Sequence, residues 1–85
     1  MAYLYILQSV HLGKYYIGST NGAPSDRLKK HLANHNGFTA KAKDWIVVYT
    51  EFFDKLNDAK KREQQIKKWK SHIRVQQLIK RSSTE

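Results

Sequence analysis

The apolar positions fall into two kinds of run. Residues 2–8 and 14–20 are short and rich in aromatic and β-branched side chains, so each predicts a strand. The residues between them end in Gly13, which suits a hairpin connection. Closing that hairpin with Gln8 opposite Gly13 sets Tyr5 opposite Tyr16. Alternation then gathers Tyr3, Tyr5 and Leu7 on one face with Tyr16 and Gly18. Leu4 and Ile6 take the other face with Tyr15 and Ile17. A third strand is predicted over 45–53, centred on Ile46, Val47, Val48 and Tyr49.

Helical spacing governs the rest. Pro24 fits the first position of a helix reaching about residue 34, with Gly37 beyond its end. Residues 38–44 read as a loop. Asp54 is placed to cap a second helix over 55–69, and Ser71 restarts the chain as a third helix to about residue 81. Residues 82–85 form a tail. The order β-β-α-β-α-α describes one α+β domain over 1–81, a small three-stranded antiparallel sheet flanked by helices.

Composition narrows the function classes. The 85 residues include no cysteine, which excludes a disulfide framework and a thiolate zinc site. No run approaches the ~18 apolar residues of a membrane span, and the N-terminus lacks a signal-peptide pattern. The expectation is a cytoplasmic protein without a membrane partner. Sixteen Lys and Arg against seven Asp and Glu give a net charge of +9. Residues 1–54 carry six basic and four acidic side chains, for +2; residues 55–85 carry ten and three, for +7. So lopsided a basic charge suits a polyphosphate partner. A simply solvated surface is the plainer alternative.

Three placements point to chemistry. On a helical wheel with Leu56 at 0°, Glu63 falls at about 340° and Ala59 at about 300°, so the carboxylate lies inside the apolar arc. The lysines at 60, 61, 67 and 68 are expected to point elsewhere. A core-facing carboxylate needs a partner or a metal, with Arg62 or Lys67 as ordinary salt-bridge candidates. In the first helix Arg27 and His31 share a face beside Leu28 and Leu32, where they suit phosphate binding and proton transfer; two solvated polar side chains are the alternative. His31 and His35 also have the spacing of a metal pair, although zinc needs a third ligand. Tyr5 and Tyr16 read as core aromatics on pattern alone. Gly18 in a strand interior marks a close approach by another group.

Taken together, these positions resemble the GIY-YIG nuclease family, and in particular its small stand-alone bacterial members. Tyr3-Leu4-Tyr5 and Tyr16-Ile17-Gly18 are similar to the paired motifs that name it. Arg27 to His31 resembles its Arg-x-x-x-His helix, and Ala59 to Glu63 the segment holding its metal-binding glutamate. The resemblance implies metal-dependent endonuclease activity on phosphodiester bonds with one Mg2+ or Mn2+, on nucleic acid, DNA in preference to RNA, with weak sequence specificity or structure selectivity. It implies Tyr5 as general base, Tyr16 as a positioning group, Arg27 on the scissile phosphate, His31 as acceptor of the tyrosine proton and Glu63 on the metal. Lys14, Lys41, Lys43, Lys60 and Lys67 are candidates for the nucleic-acid track, and Gly18 is structural at the site. Glu63 is expected on the concave surface that holds Arg27 and Tyr16, without a Lys or Arg partner.

The sequence departs from the family at two points. Tyr3 stands where the naming motif has glycine. Val75, Gln76 and Gln77 stand where many members place an asparagine. That second departure motivates the alternative of a non-catalytic nucleic-acid-binding domain, and the basic helices that of a protein-interaction module.

Overall fold

The structure, a computed structural model, describes residues 1–33 and 37–83. Strands β1 (Ala2–Ser9), β2 (Lys14–Thr20) and β3 (Ile46–Phe53) form one antiparallel sheet in the order β2-β1-β3. Helices α1 (Pro24–Ala33), α2 (Leu56–Trp69) and α3 (His72–Ser83) complete the predicted order. A single 3-10 turn, Phe38–Lys41, stands where a loop was expected.

Because β1 is central, both its faces are covered and its side chains form a nearly continuous buried run. Leu4 and Ile6 pack with Ile66 of α2 and Val75 of α3. Tyr5 and Leu7 pack with Trp45, Ala42 and the Leu28–Leu32 stripe of α1. Each fully buried aliphatic side chain contributes about 1.5–3 kcal/mol. Between Ile6 and Leu7 the β1–β3 register slips by one residue, a bulge at Val48. It lets Val48 and Tyr49 both face the α2 side.

The hairpin corrects the expected register by two residues. Ser9 closes against Lys14, so Tyr5 pairs with Gly18 and Tyr16 with Leu7. Gly13 is not a strand partner: at φ 64° it turns the chain, its N–H donating to the Ser9 carbonyl at 2.8 Å. A two-residue shift keeps every side chain on its predicted face, so alternation alone could not choose between the registers. The turn closes on Ser9, whose Oγ also accepts the Leu12 N–H at 3.1 Å, and a long-range contact anchors it. The fully buried Ser9 hydroxyl donates to Asp44 Oδ1 at 2.5 Å, while Asp44 Oδ2 accepts the His11 N–H at 2.8 Å. These bonds, that from Ser9 foremost, hold the Asp44 carboxyl below its usual range.

Two helix-end expectations also meet the structure differently. Asp54 does not cap α2; Lys55 occupies that position in an extended conformation without a side-chain cap. At the other end Lys70 adopts the left-handed conformation at φ 49°, alone among the described non-glycine residues. Ser71 then caps α3 as expected, its Oγ accepting the Arg74 N–H at 3.2 Å. The third helix continues to Ser83, two residues into the predicted tail. No described helix is long and apolar enough to cross a membrane.

Candidate active site

Tyr5 occupies the middle of the central strand, 1% exposed, and its ring lies across Gly18 of the neighbouring strand. A Cβ at Gly18 would stand 2.5 Å from Tyr5 Oη and 2.6 Å from Cζ. The close approach that a strand glycine signals is thus made by the tyrosine itself. Gly18→Ala is expected to destabilise the fold by about 1–3 kcal/mol, because backbone or ring must shift. It should also lift Tyr5 away from His31. Thermal melting reads the first effect and the His31 imidazole resonances the second; an alanine protein matching the native one in both would show that the approach is not tight.

From α1, His31 meets Tyr5: the Tyr5 Oη–His31 Nε2 separation is 3.0 Å, and His31 Nδ1 lies 3.1 Å from Thr39 Oγ1. A neutral ring offers one donor and one acceptor nitrogen. With Nδ1–H donated to Thr39, Nε2 accepts the Tyr5 hydroxyl. Thr39 is itself fixed, 3% exposed, with its carbonyl accepting the Trp45 indole N–H at 3.0 Å. The Tyr16 ring closes the cluster, 4.7 Å from the His31 ring and 6.5 Å from that of Tyr5.

Arg27 lies one helical turn before His31. Its Nε is buried with no hydrogen-bond partner among the described residues. Burial raises the Tyr5 hydroxyl above its ordinary pKa; the Arg27 guanidinium opposes this by hydrogen bonding and charge, and Tyr16 and Glu63 add to the rise. Burial lowers His31, and the Arg27 charge lowers it further. The pair therefore rests as a protonated tyrosine beside a neutral histidine.

Glu63 reaches the site differently. Its helix α2 packs on the Leu4–Ile6 side, and Glu63 Oε1 accepts the Ser19 hydroxyl at 2.6 Å, at edge strand β2. The expectation that it lacks a basic partner is corrected: Lys67 Nζ donates to Oε2 at 2.5 Å. Residues at i and i+4 share a helix face, so Lys67 does not point elsewhere. Arg62 is engaged with Glu51 instead, at 3.1 Å through Nε and again through Nη2. Glu51 also accepts the hydroxyl of Tyr49, whose pKa is pushed up to about 12 by burial and by that carboxylate.

The other candidates are dispersed. Lys14 and Lys67 line a cavity on the outer side of β2. Lys43 Nζ donates to the Leu32 carbonyl at 2.9 Å, and Lys41 and Lys60 are exposed. Val75 is a core residue, while Gln76 and Gln77 face solvent. His35 lies outside the described residues. Sequence reasoning missed Thr39 and Ser19. Strand alternation could have placed Ser19 under α2; Thr39 leaves no local signal, since the loop alone brings it back to His31.

Among the described residues, no group of three or more His, Asp or Glu is arranged to hold a metal. Magnesium is commonly bound by one or two carboxylates together with substrate phosphates and water. A single Glu63 whose ion-pair partner is a half-exposed lysine fits that donor set.

A family model for the GIY-YIG catalytic domain matches residues 1–77. No curated protein and no solved structure matches the chain.

Proposed function

The chain belongs to the GIY-YIG family, and from that premise we propose that it is a divalent-metal-dependent endonuclease that hydrolyses DNA with weak sequence preference or structure selectivity. The observation that carries this reading is the Tyr5–His31–Thr39 chain beside a buried Arg27 Nε with no protein partner among the described residues. Tyr5 Oη accepts a proton from the attacking water as its own proton passes to His31 Nε2. The resulting hydroxide forms the new P–O bond as the bond to the leaving oxygen breaks. The leaving oxygen takes up a proton from solvent, and His31 releases the proton it accepted to solvent, which restores the neutral ring. Arg27 grips the phosphate oxygens, on which negative charge builds. Tyr16, packed against His31, positions water and phosphate. Glu63 would hold one Mg2+ or Mn2+, which when bound adds positive charge at the phosphate.

Magnitudes decide between a preformed tyrosinate and a relay. From ordinary pKa values, moving a proton from tyrosine to histidine costs about 5 kcal/mol. The directions of both shifts increase that figure. An enzyme turning over at ~10 per second has a barrier of about 16 kcal/mol. The transfer thus fits within the barrier as a transient step, whereas a standing tyrosinate does not fit a raised pKa.

Supercoiled-plasmid cleavage with and without Mg2+ tests the proposal. Nicking that requires the ion supports it. Salt-sensitive DNA binding without cleavage would reduce the protein to a nucleic-acid-binding domain. The relay also sets a pH profile. His31 must be neutral to accept the proton, and its pKa is lowered, so the single-turnover rate should hold from about pH 9 to about pH 7 and decline only below about 6.5. An acid limb beginning above about pH 7 would remove His31 from the relay.

A further inference from the structure

A cavity of about 450 Å³ opens on the outer side of β2, between that strand and the α2–α3 junction. Its lining includes Lys14, Lys67, Lys70 and Ser71, an apolar floor from Ile17 and Ile66, and no carboxylate. On its wall the rings of Tyr15 and His72 stack, 4.7 Å apart and tilted by 36°. His72 is exposed, so its ring offers accessible surface to a further ring. Tyr16 and Lys67 also border the cavity, which therefore adjoins the Tyr5–His31 cluster and the Glu63 ion pair.

We infer that this cavity binds an unpaired nucleotide of the nucleic-acid substrate, its base stacked on His72 and its phosphates held by Lys14 and Lys70. The inference rests on the nuclease reading and names the substrate class, strands carrying a single-stranded segment next to the cleaved bond. The volume lies in the ordinary range for a small-ligand pocket. Stacking on an aromatic platform accepts any base, which agrees with weak sequence preference. Lys70 supplies independent support. A left-handed residue after a helix is usually glycine, and a lysine there is strained by its Cβ. Keeping a strained cation at the mouth of the cavity is accounted for by what the cation binds there.

Fluorescence anisotropy in EDTA, which prevents cleavage, tests this with an eight-nucleotide single strand, an abasic strand of equal charge, a blunt duplex and polyglutamate. The wild type should bind the base-bearing strand more tightly than the abasic one. His72→Ala should lower the ratio of single-strand to blunt-duplex affinity about tenfold, and His72→Phe should restore it. His72→Ala should not weaken abasic binding further. Lys70→Gly, which relieves backbone strain, should raise the melting temperature and flatten the single-strand salt slope by about 0.7. Single-strand affinity untouched by His72→Ala, or matched by polyglutamate, would overturn the site and leave the nuclease reading standing. A wild type that binds no nucleic acid in any form would overturn both.

Discussion

Replacing Glu63 with alanine is expected to lower metal-dependent cleavage by about 10³-fold or more, since a bound cation supplies several kcal/mol of charge stabilisation at the phosphate. Folding should hardly change. The Glu63–Lys67 pair is an i,i+4 contact with a half-exposed lysine, worth at most about 1 kcal/mol. Losing the carboxylate strands no buried charge, and it removes no unpaired one, so the variant should not be hyperstable either. Duplex affinity should stay level or rise: Lys67, released from its partner, becomes available to phosphate and can steepen the salt slope by up to about 0.9. Glu63→Gln separates the roles. It keeps an acceptor for the Ser19 hydroxyl while giving up the anionic oxygens a metal needs. Cleavage and Mn2+ binding by calorimetry should fall together in both variants. Wild-type turnover in either would take the metal away from Glu63.

How much of this was legible in the sequence follows from the range of the interactions involved. The strands and their faces come from alternation, a local property, and survive intact in the fold. A two-residue slip of β2 against β1 leaves no trace in the pattern, and the Asp44 carboxylate that anchors the end of β1 through Ser9 lies 35 residues away in sequence. Arg27 and His31 were readable as neighbours because i,i+4 spacing fixes one face. The same rule makes Lys67 a candidate partner for Glu63, with Arg62 the other candidate, and only the engagement of Arg62 with Glu51 of β3 decides between them. Thr39 was not readable, because a loop has no period. Nor was the direction of the Tyr5 shift. Arg27 alone argues for a lowered pKa, and only the burial of the central strand reverses the sign.

Arg27→Lys tests where the scissile phosphate sits. The guanidinium keeps a buried Nε without a protein partner among the described residues, at a cost of about 1–3 kcal/mol that a phosphate oxygen would recover. A planar guanidinium can donate to two phosphate oxygens at once, and an ammonium cannot reproduce that geometry. Lysine keeps the positive charge, so the electrostatic pull on Tyr5 and His31 persists in direction. The saturating cleavage rate should therefore fall about 10²–10³-fold, the effect of removing one aligned donor to a developing anion. Duplex affinity and its salt slope should change little. Removing the orphaned donor should leave the fold as stable as before, or slightly more so, by thermal melting. Neutralising Lys60, Lys61 and Lys68 together should do the converse, since all three are exposed on α2, which packs on the opposite side of the sheet from Tyr5. Binding weakens and the salt slope flattens by up to about 0.9 for each phosphate that is no longer neutralised, with the saturating rate held. Lys67 is excluded from that set because it belongs to Glu63. Normal cleavage by Arg27→Lys, together with a fallen saturating rate in the triple lysine variant, would place the reacting phosphate over α2 and away from Tyr5.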